Sequence, residues 1–326
     1  MKRVLDVAAL ALILSWSPSL CAGATTGSWQ YLVDRLVTEG LDPDPVRRAF
    51  ADPRMAPFDG LEFSPEQPRE VHSRYRQFLT PATIVRARSC RAAYAGWFDA
   101  AAQHYGVPAN VLASILYVET GCGRNTGSYV ILHRLARLAM ANEPENLRRN
   151  LERFADSRGT LDPSIEAQLR ARAQYLEATF YPEVRATFLV AQQMGVSPLD
   201  LRGSPSGAFG YPQFLPTSFL QYGVDGDGDG IVSLYTPSDA TASAARYLAA
   251  YGWRPGISRA QQRQVIWHYN HSDAYIDTVL ALASRIDAQP TNVSTAKSGT
   301  KPRRSGTRPK KPSTKPKTKQ STRHYR

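Results

Sequence analysis

A mainly α-helical fold is what this sequence predicts. Apolar residues recur at three- and four-residue spacing over most of positions 83–286, alternating strand patterns are scarce, and there is no internal repeat. Apolar residues make up 42% of the 326. Setting aside the two ends leaves roughly 260 residues, enough for one large domain or two small ones. Three cysteines are too few for a disulfide-dense scaffold or a multi-cysteine metal site.

At the N-terminus, Lys2 and Arg3 precede an apolar run from Val7 to Leu14, then Pro18 and Cys21-Ala22-Gly23-Ala24. That order predicts a secretory signal over residues 1–24, and the run is shorter than the ~20 apolar residues of a membrane span. Lipid attachment at Cys21 is the competing reading, opposed by Leu20 where a small residue belongs. Residues 25–82 predict a helix at Ser28–Glu39 and then an extended strap, punctuated by Pro43, Pro45, Pro53, Pro57, Pro65 and Pro68.

The catalytic-size region, 83–287, opens with helical patterns at Thr83–Tyr105 and Pro108–Thr120, with Gly106 as the turn. Cys90 and Cys122 each lie sixteen positions from Gly106, so an antiparallel pair of helices lets them face each other. An export compartment permits a disulfide there; two small buried thiols are the alternative. Further helices fit Ser128–Ala141, Asn146–Ala155, Pro163–Tyr181 and Pro182–Met194, and then Pro237–Ala250, Arg259–Tyr269 and Asp273–Ile286. The net charge of +12 resides in the tail. Twelve Lys and Arg and no acid lie between Ala288 and Arg326, leaving 28 basic against 28 acidic residues before them. Residues 288–326 therefore predict a disordered tail, either simply solvated or drawn to an anionic envelope surface; a nucleic-acid groove on the folded body is not expected.

Four features carry chemistry. Glu119 ends an almost wholly apolar helix and falls on the stripe of Leu112, Ile115 and Leu116. A carboxyl group on a core-facing stripe is desolvated, which raises its pKa and suits a general acid at neutral pH; a buried pair with Arg124 or Arg134 is the other reading. The run from Gly203 to Thr217 is glycine-rich and apolar, with Tyr211, Gln213 and Phe214 able to stack on and hydrogen-bond a sugar-like ligand, or else it is a packed Ω-type loop. Asp225-Gly-Asp227-Gly-Asp229-Gly-Ile231 matches the first half of an EF-hand loop, hard oxygen ligands suited to calcium. Position twelve is Thr236 in place of Glu, and Asp239 closes the site if the loop is longer. Trp267-His-Tyr-Asn-His271 offers aromatic rings to a saccharide cleft or to the core; its two histidines lack a third metal ligand.

Taken together, Tyr105-Gly-Val-Pro…Val118-Glu-Thr120…Gly123-Arg124, the 203–217 run, the loop 225–239 and Tyr269-Asn270 resemble the membrane-bound lytic murein transglycosylase B family over about residues 85–285. The resemblance implies a lysozyme-like fold acting on peptidoglycan glycan strands. Glu119 is then the sole acid/base, cleaving the bond between N-acetylmuramic acid and N-acetylglucosamine without water and leaving a 1,6-anhydromuramyl end. It further implies that Ser204, Tyr211, Gln213, Tyr269 and Asn270 line the substrate cleft, and that Asp225, Asp227, Asp229, the Ile231 carbonyl and Asp239 hold structural calcium. No organic cofactor is implied. A hydrolytic muramidase on the same fold, or a non-catalytic peptidoglycan-binding protein, are the alternatives. The chain departs from the family pattern at Gly121-Cys122, where a polar or basic residue and an aromatic one are usual. It departs again at Pro212, where glycine is usual, and in the lysine-rich tail.

Overall fold

The structure, a computed structural model, describes residues 28–66, 72–156 and 160–287. The signal, Cys21 and the basic tail lie outside the described residues.

Helices dominate, and their ends follow local chemistry. The chain runs α1 (Gln30–Thr38), α2 (Pro43–Ala51), a 3₁₀ helix (His72–Leu79), α3 (Pro81–Ala93), α4 (Ala95–Tyr105) and α5 (Ala109–Thr120). It continues through β1 (Tyr129–Val130), α6 (Ile131–Ala139), α7 (Pro144–Asp156), α8 (Pro163–Met194) and β2 (Arg202–Gly203). The last elements are α9 (Pro216–Tyr222), α10 (Pro237–Ala250), α11 (Arg259–Tyr269) and α12 (Asp273–Asp287). Asp42, Thr80 and Asp162 each cap a helix whose first residue is proline, where a missing N–H costs nothing. Ser258 and Gln261 form a reciprocal capping box at α11.

The centre of the molecule is α5. Leu112, Ile115 and Leu116 are fully buried, and α5 packs against α3, α4, α10 and α12. Ser114 sits in that seam and donates its hydroxyl to the Val279 carbonyl at 2.7 Å, so this buried polar group is satisfied. The N-terminal helix is fastened to α8 by a buried carboxylate: Tyr31, Arg35 and Asn142 all donate to Glu177 at 2.6–2.9 Å.

Four boundaries differ from the sequence reading. The helix expected over Thr83–Tyr105 is two, broken at Tyr94 (φ −116°, ψ 31°). Conversely, Pro163–Met194 is one helix of 32 residues with Pro182 inside it. Tyr181, Val184 and Ala186 are buried on either side of that proline, and this packing outweighs the roughly 3 kcal/mol an interior proline costs. The helix expected from Ser128 begins only at Ile131, because Tyr129 and Val130 pair antiparallel with Gly203 and Arg202. Finally, the strap is not wholly extended: α2 forms within it because Val46, Ala49 and Phe50 share one buried face, and a 3₁₀ helix closes it.

Candidate active site

The last turn of α5 carries Glu119 to the edge of a cleft of about 480 Å³. Its floor is α5 and the turn beyond it (Tyr117 to Gly121, Arg124, Asn125), and its far wall is Gln77, Phe78, Thr80, Thr83 and Arg86. Among the described residues lining it, Glu119 is the one carboxylate. Glu119 is half-buried, and burial pushes its pKa up to about 7, opposed by one hydrogen bond from Tyr275. That bond, from the Tyr275 hydroxyl to Glu119 Oε1, is 2.6 Å long. No salt bridge to Glu119 occurs among the described residues. The alternative of a pair with Arg124 or Arg134 does not hold: Arg124 turns to the Gly121 carbonyl and Arg134 to that of Pro205.

Tyr275 escapes sequence reasoning. It shares an apolar stripe with Val279 and Leu282 on α12, so it reads as core. Only the crossing of α12 over α5 aims its hydroxyl at Glu119. Behind it stands a file of rings. Tyr75 meets Tyr275 edge-on at 6.1 Å, and Tyr275 lies parallel to Tyr269 at 6.4 Å. Tyr247 follows at 5.1 Å, Tyr251 at 4.7 Å, and His268 stacks on Tyr251 at 4.4 Å. Burial and the nearness of Glu119 hold the Tyr275 and Tyr269 hydroxyls well above the ordinary phenol range, so both stay protonated donors. Trp267 packs edge-on against His271 at 3.8 Å; the histidines form no metal-ligating cluster among the described residues.

The 203–217 run is a tightly packed loop that also abuts the cleft. Thr120, next to Glu119, donates its hydroxyl to the Tyr211 carbonyl at 3.0 Å. A Cβ on Gly123 would lie 1.9 Å from the Tyr211 ring, so glycine is required for that ring to cover the turn. Gln213, with φ +52°, uses its amide to donate to the Thr126 and Gly210 carbonyls. Tyr269 donates to the Pro212 carbonyl at 2.6 Å. Ser204 Oγ accepts from the Ala208 N–H, and Asn270 is half-buried at the end of α11 with extended backbone. None of these five residues is among those lining the Glu119 chamber, and Tyr211 adjoins it through Thr120. The loop's far end is pinned from α8: buried Glu183 accepts from both the N–H and the hydroxyl of Thr217, capping α9.

Gly121 and Cys122, the departures noted in the sequence, have a local cause. Both adopt φ 60°. A Cβ on Gly121 would press against the Arg124 guanidinium at 3.1–3.2 Å. Cys122 is joined by a disulfide to Cys90 on α3, with Cα atoms 6.3 Å apart; that bridge holds a non-glycine residue in a left-handed conformation it rarely adopts.

In the acidic loop, carboxylate oxygens of Asp225, Asp227 and Asp229 lie within 4.8 Å of one another. Asp225 accepts from the Gly228 and Gly230 N–H groups, which lowers its pKa. Three converging hard-oxygen donors fit a calcium ion. Asp239 is not one of that triplet. It is buried, and its oxygens accept from Gly226 N and Ser233 N, tying the two ends of the loop together. Ile231 is exposed.

Residues 25–264 match the family described as Transglycosylase SLT domain. Over 193 residues the chain is 35% identical to membrane-bound lytic murein transglycosylase B of Escherichia coli (strain K12), covering 59% of this chain and 45% of that protein. It thus spans less than half the length of this curated relative. The soluble lytic transglycosylase SltB1 from Pseudomonas aeruginosa superimposes with a TM-score of 0.60 at 25% identity, covering 79% of this chain and 97% of that one. The Escherichia coli lytic transglycosylase Slt35, solved in complex with calcium, shares the fold with a TM-score of 0.57 at 24% identity, covering 79% and 92%.

Proposed function

Because this chain belongs to the transglycosylase SLT domain family, we propose that it is a lytic murein transglycosylase, a lyase that cleaves peptidoglycan glycan strands. The observation that carries this reading is a single carboxyl group, poised near neutrality, in a cleft without a second one. Hydrolytic glycosidases ordinarily use two.

In the first step, protonated Glu119 gives its proton to the glycosidic oxygen between N-acetylmuramic acid and N-acetylglucosamine, and the C1–O bond breaks. The substrate's own N-acetyl group stabilises the positive anomeric carbon. Glu119, now a carboxylate, takes the proton of the muramyl 6-hydroxyl as that oxygen bonds to C1. The acid is regenerated, and the product carries a 1,6-anhydro ring. A carboxyl pKa of about 7 suits both halves, since the same group must donate and then accept. Tyr275 holds Oε1 in place and stabilises the carboxylate stage. Tyr211, Gln213, Tyr269, Asn270 and Ser204 form the adjoining strand-binding wall.

Asp225, Asp227 and Asp229 with the Ile231 carbonyl would hold a structural calcium ion, with Asp239 bracing the loop from Gly226 and Ser233 and able to complete the set. Calcium there would relieve the repulsion among the three carboxylates and stiffen the connection between α9 and α10. Export by residues 1–24, and attraction of residues 288–326 to an anionic envelope surface, complete the reading. Among the described residues no helix is long and apolar enough to cross a membrane.

Digestion of purified sacculi with the native protein and with Glu119→Gln, followed by mass spectrometry of the soluble products, tests the reaction. Anhydromuramyl ends from the native protein alone are expected. Reducing ends would make it a muramidase, and sacculus binding without products from either would make it a binding protein.

A further inference from the structure

The cleft that holds Glu119 also holds two arginines with no acidic partner. Arg86 reaches in from α3 and donates Nε to the Tyr117 hydroxyl at 3.0 Å, with a second bond to Thr83 Oγ1 at 3.2 Å. Arg124 reaches in from the turn after α5 and donates Nη2 to the same hydroxyl at 3.3 Å. Both are exposed on the cleft surface, whereas Tyr117 is buried at 4% exposure. A single buried phenol thus brackets two guanidinium groups a few residues from the reacting carboxyl. Thirteen ion pairs engage other arginines of the described residues, and none engages Arg86 or Arg124.

The surroundings are built to keep this pair in place. Gly121 leaves the space into which the Arg124 guanidinium folds, so that Nε donates to the Gly121 carbonyl at 3.1 Å. Arg86 lies one helical turn before Cys90, and the Cys90–Cys122 bridge ties that face of α3 to the turn that presents Arg124. The Arg124 guanidinium also lies over the Tyr117 ring, 5.8 Å from its centre. Neither arginine hydrogen-bonds or ion-pairs with Glu119, whose one side-chain partner among the described residues is Tyr275.

From this geometry we propose that Arg86 and Arg124, bracketed by Tyr117, form a carboxylate-recognition site that reads the acidic substituent of the muramyl residue. Planar guanidinium groups with unspent donors match carboxylate oxygens. The uncharged sugar rings of a glycan strand offer no such group, but each muramyl residue carries a lactyl ether. Its carboxyl is either free, on a strand stripped of peptide, or extended by a peptide that bears carboxylates of its own. Recognition of that group makes the pair specificity-determining: it selects muramyl residues over N-acetylglucosamine and sets the strand's register over Glu119. This rests on the peptidoglycan reading of the site given above.

Binding measured in the Glu119→Gln background separates the two claims, because it requires no turnover. Four ligands are compared: glycan strands bearing peptides with free carboxylates, the same strands with those carboxylates amidated, peptide-stripped strands with free lactyl carboxylates, and chitin oligosaccharides of equal length. Strands with carboxylates should bind about tenfold more tightly than amidated strands or chitin, a modest ratio because the site is open to solvent and salt. Whichever carboxylate strand binds more tightly identifies the peptide or the lactyl group as the source. Arg86→Gln and Arg124→Gln should each bring the acid-to-amide ratio toward one, while Arg86→Lys and Arg124→Lys keep part of it; circular dichroism of each variant verifies folding. Equal affinity for acid and amide in the unsubstituted background overturns the proposal, as does an unaltered ratio in folded Gln variants or no binding of any strand. Carboxylate discrimination without anhydromuramyl products from the native enzyme would leave this site standing and remove the transglycosylase reading.

Discussion

Glu119, as the proposed acid, would set the pH behaviour of the reaction. On the proposed mechanism its protonated form begins the reaction, so turnover should fall as pH rises through about 7, the value to which burial carries the group. Tyr275 donates to the carboxylate and thereby lowers that pKa; in Tyr275→Phe the alkaline limb of the kcat profile should move to higher pH, and a limb that stayed or moved down would contradict the assigned role. Stability carries the same signature with a definite sign. Between the unfolded carboxyl value near 4.5 and the folded value of about 7, the native state binds the extra proton, so this residue's contribution declines as pH rises. Relative to the native protein, Glu119→Gln should therefore gain more in Tm at pH 8 than at pH 5, read by thermal melts at the two pH values. The raised pKa of Glu119 was legible in the sequence, because a Glu on an otherwise apolar helical stripe is desolvated. Its partner was not, since Tyr275 differs from its neighbouring core residues only in one oxygen, whose direction depends on how two helices distant in sequence cross.

Among the elements, the connections that hold the cleft walls are the ones to disturb. Replacing Cys90 and Cys122 by Ala removes a bridge across a 32-residue separation and should lower the stability measured by denaturant unfolding by about 3 kcal/mol. Glu183→Ala deprives α9 of its buried cap and should lower it by about 2 kcal/mol. For the acidic loop, calcium at a hundredfold excess over its Kd should add about 2.7 kcal/mol, visible as a rise in Tm that a chelator reverses; a Tm indifferent to both would remove the metal from the loop. Element boundaries were legible where capping chemistry is local, as at α11. They were not where packing overrides a local signal: Pro182 reads as a stop, yet buried turns on either side carry α8 straight through it. The prolines of the strap mislead the other way, because Pro43 starts a helix rather than preventing one.

At the level of the whole molecule, helix content and the order of the chemical segments were readable from the sequence, whereas the side-by-side placement of Arg86 and Arg124 was not, since it joins residues on separate elements through a buried phenol. The formally neutral body and cationic tail predict a separable behaviour. Removal of residues 288–326 should weaken retention on sacculi at low salt and leave the products of digestion the same, measured by pelleting and mass spectrometry; undiminished retention would assign the tail no part in attachment. The file of rings from Tyr75 to His268 has a consequence of another kind. Its tyrosine rings, locked at fixed mutual angles within 4.7–6.4 Å, exchange excitation, and such a set lends the folded protein an optical activity between about 270 and 290 nm that is lost when packing loosens although helices persist. Because Tyr275, whose hydroxyl touches Glu119, belongs to that file, the protein carries its own dye for the integrity of the wall behind Glu119, readable without substrate or label.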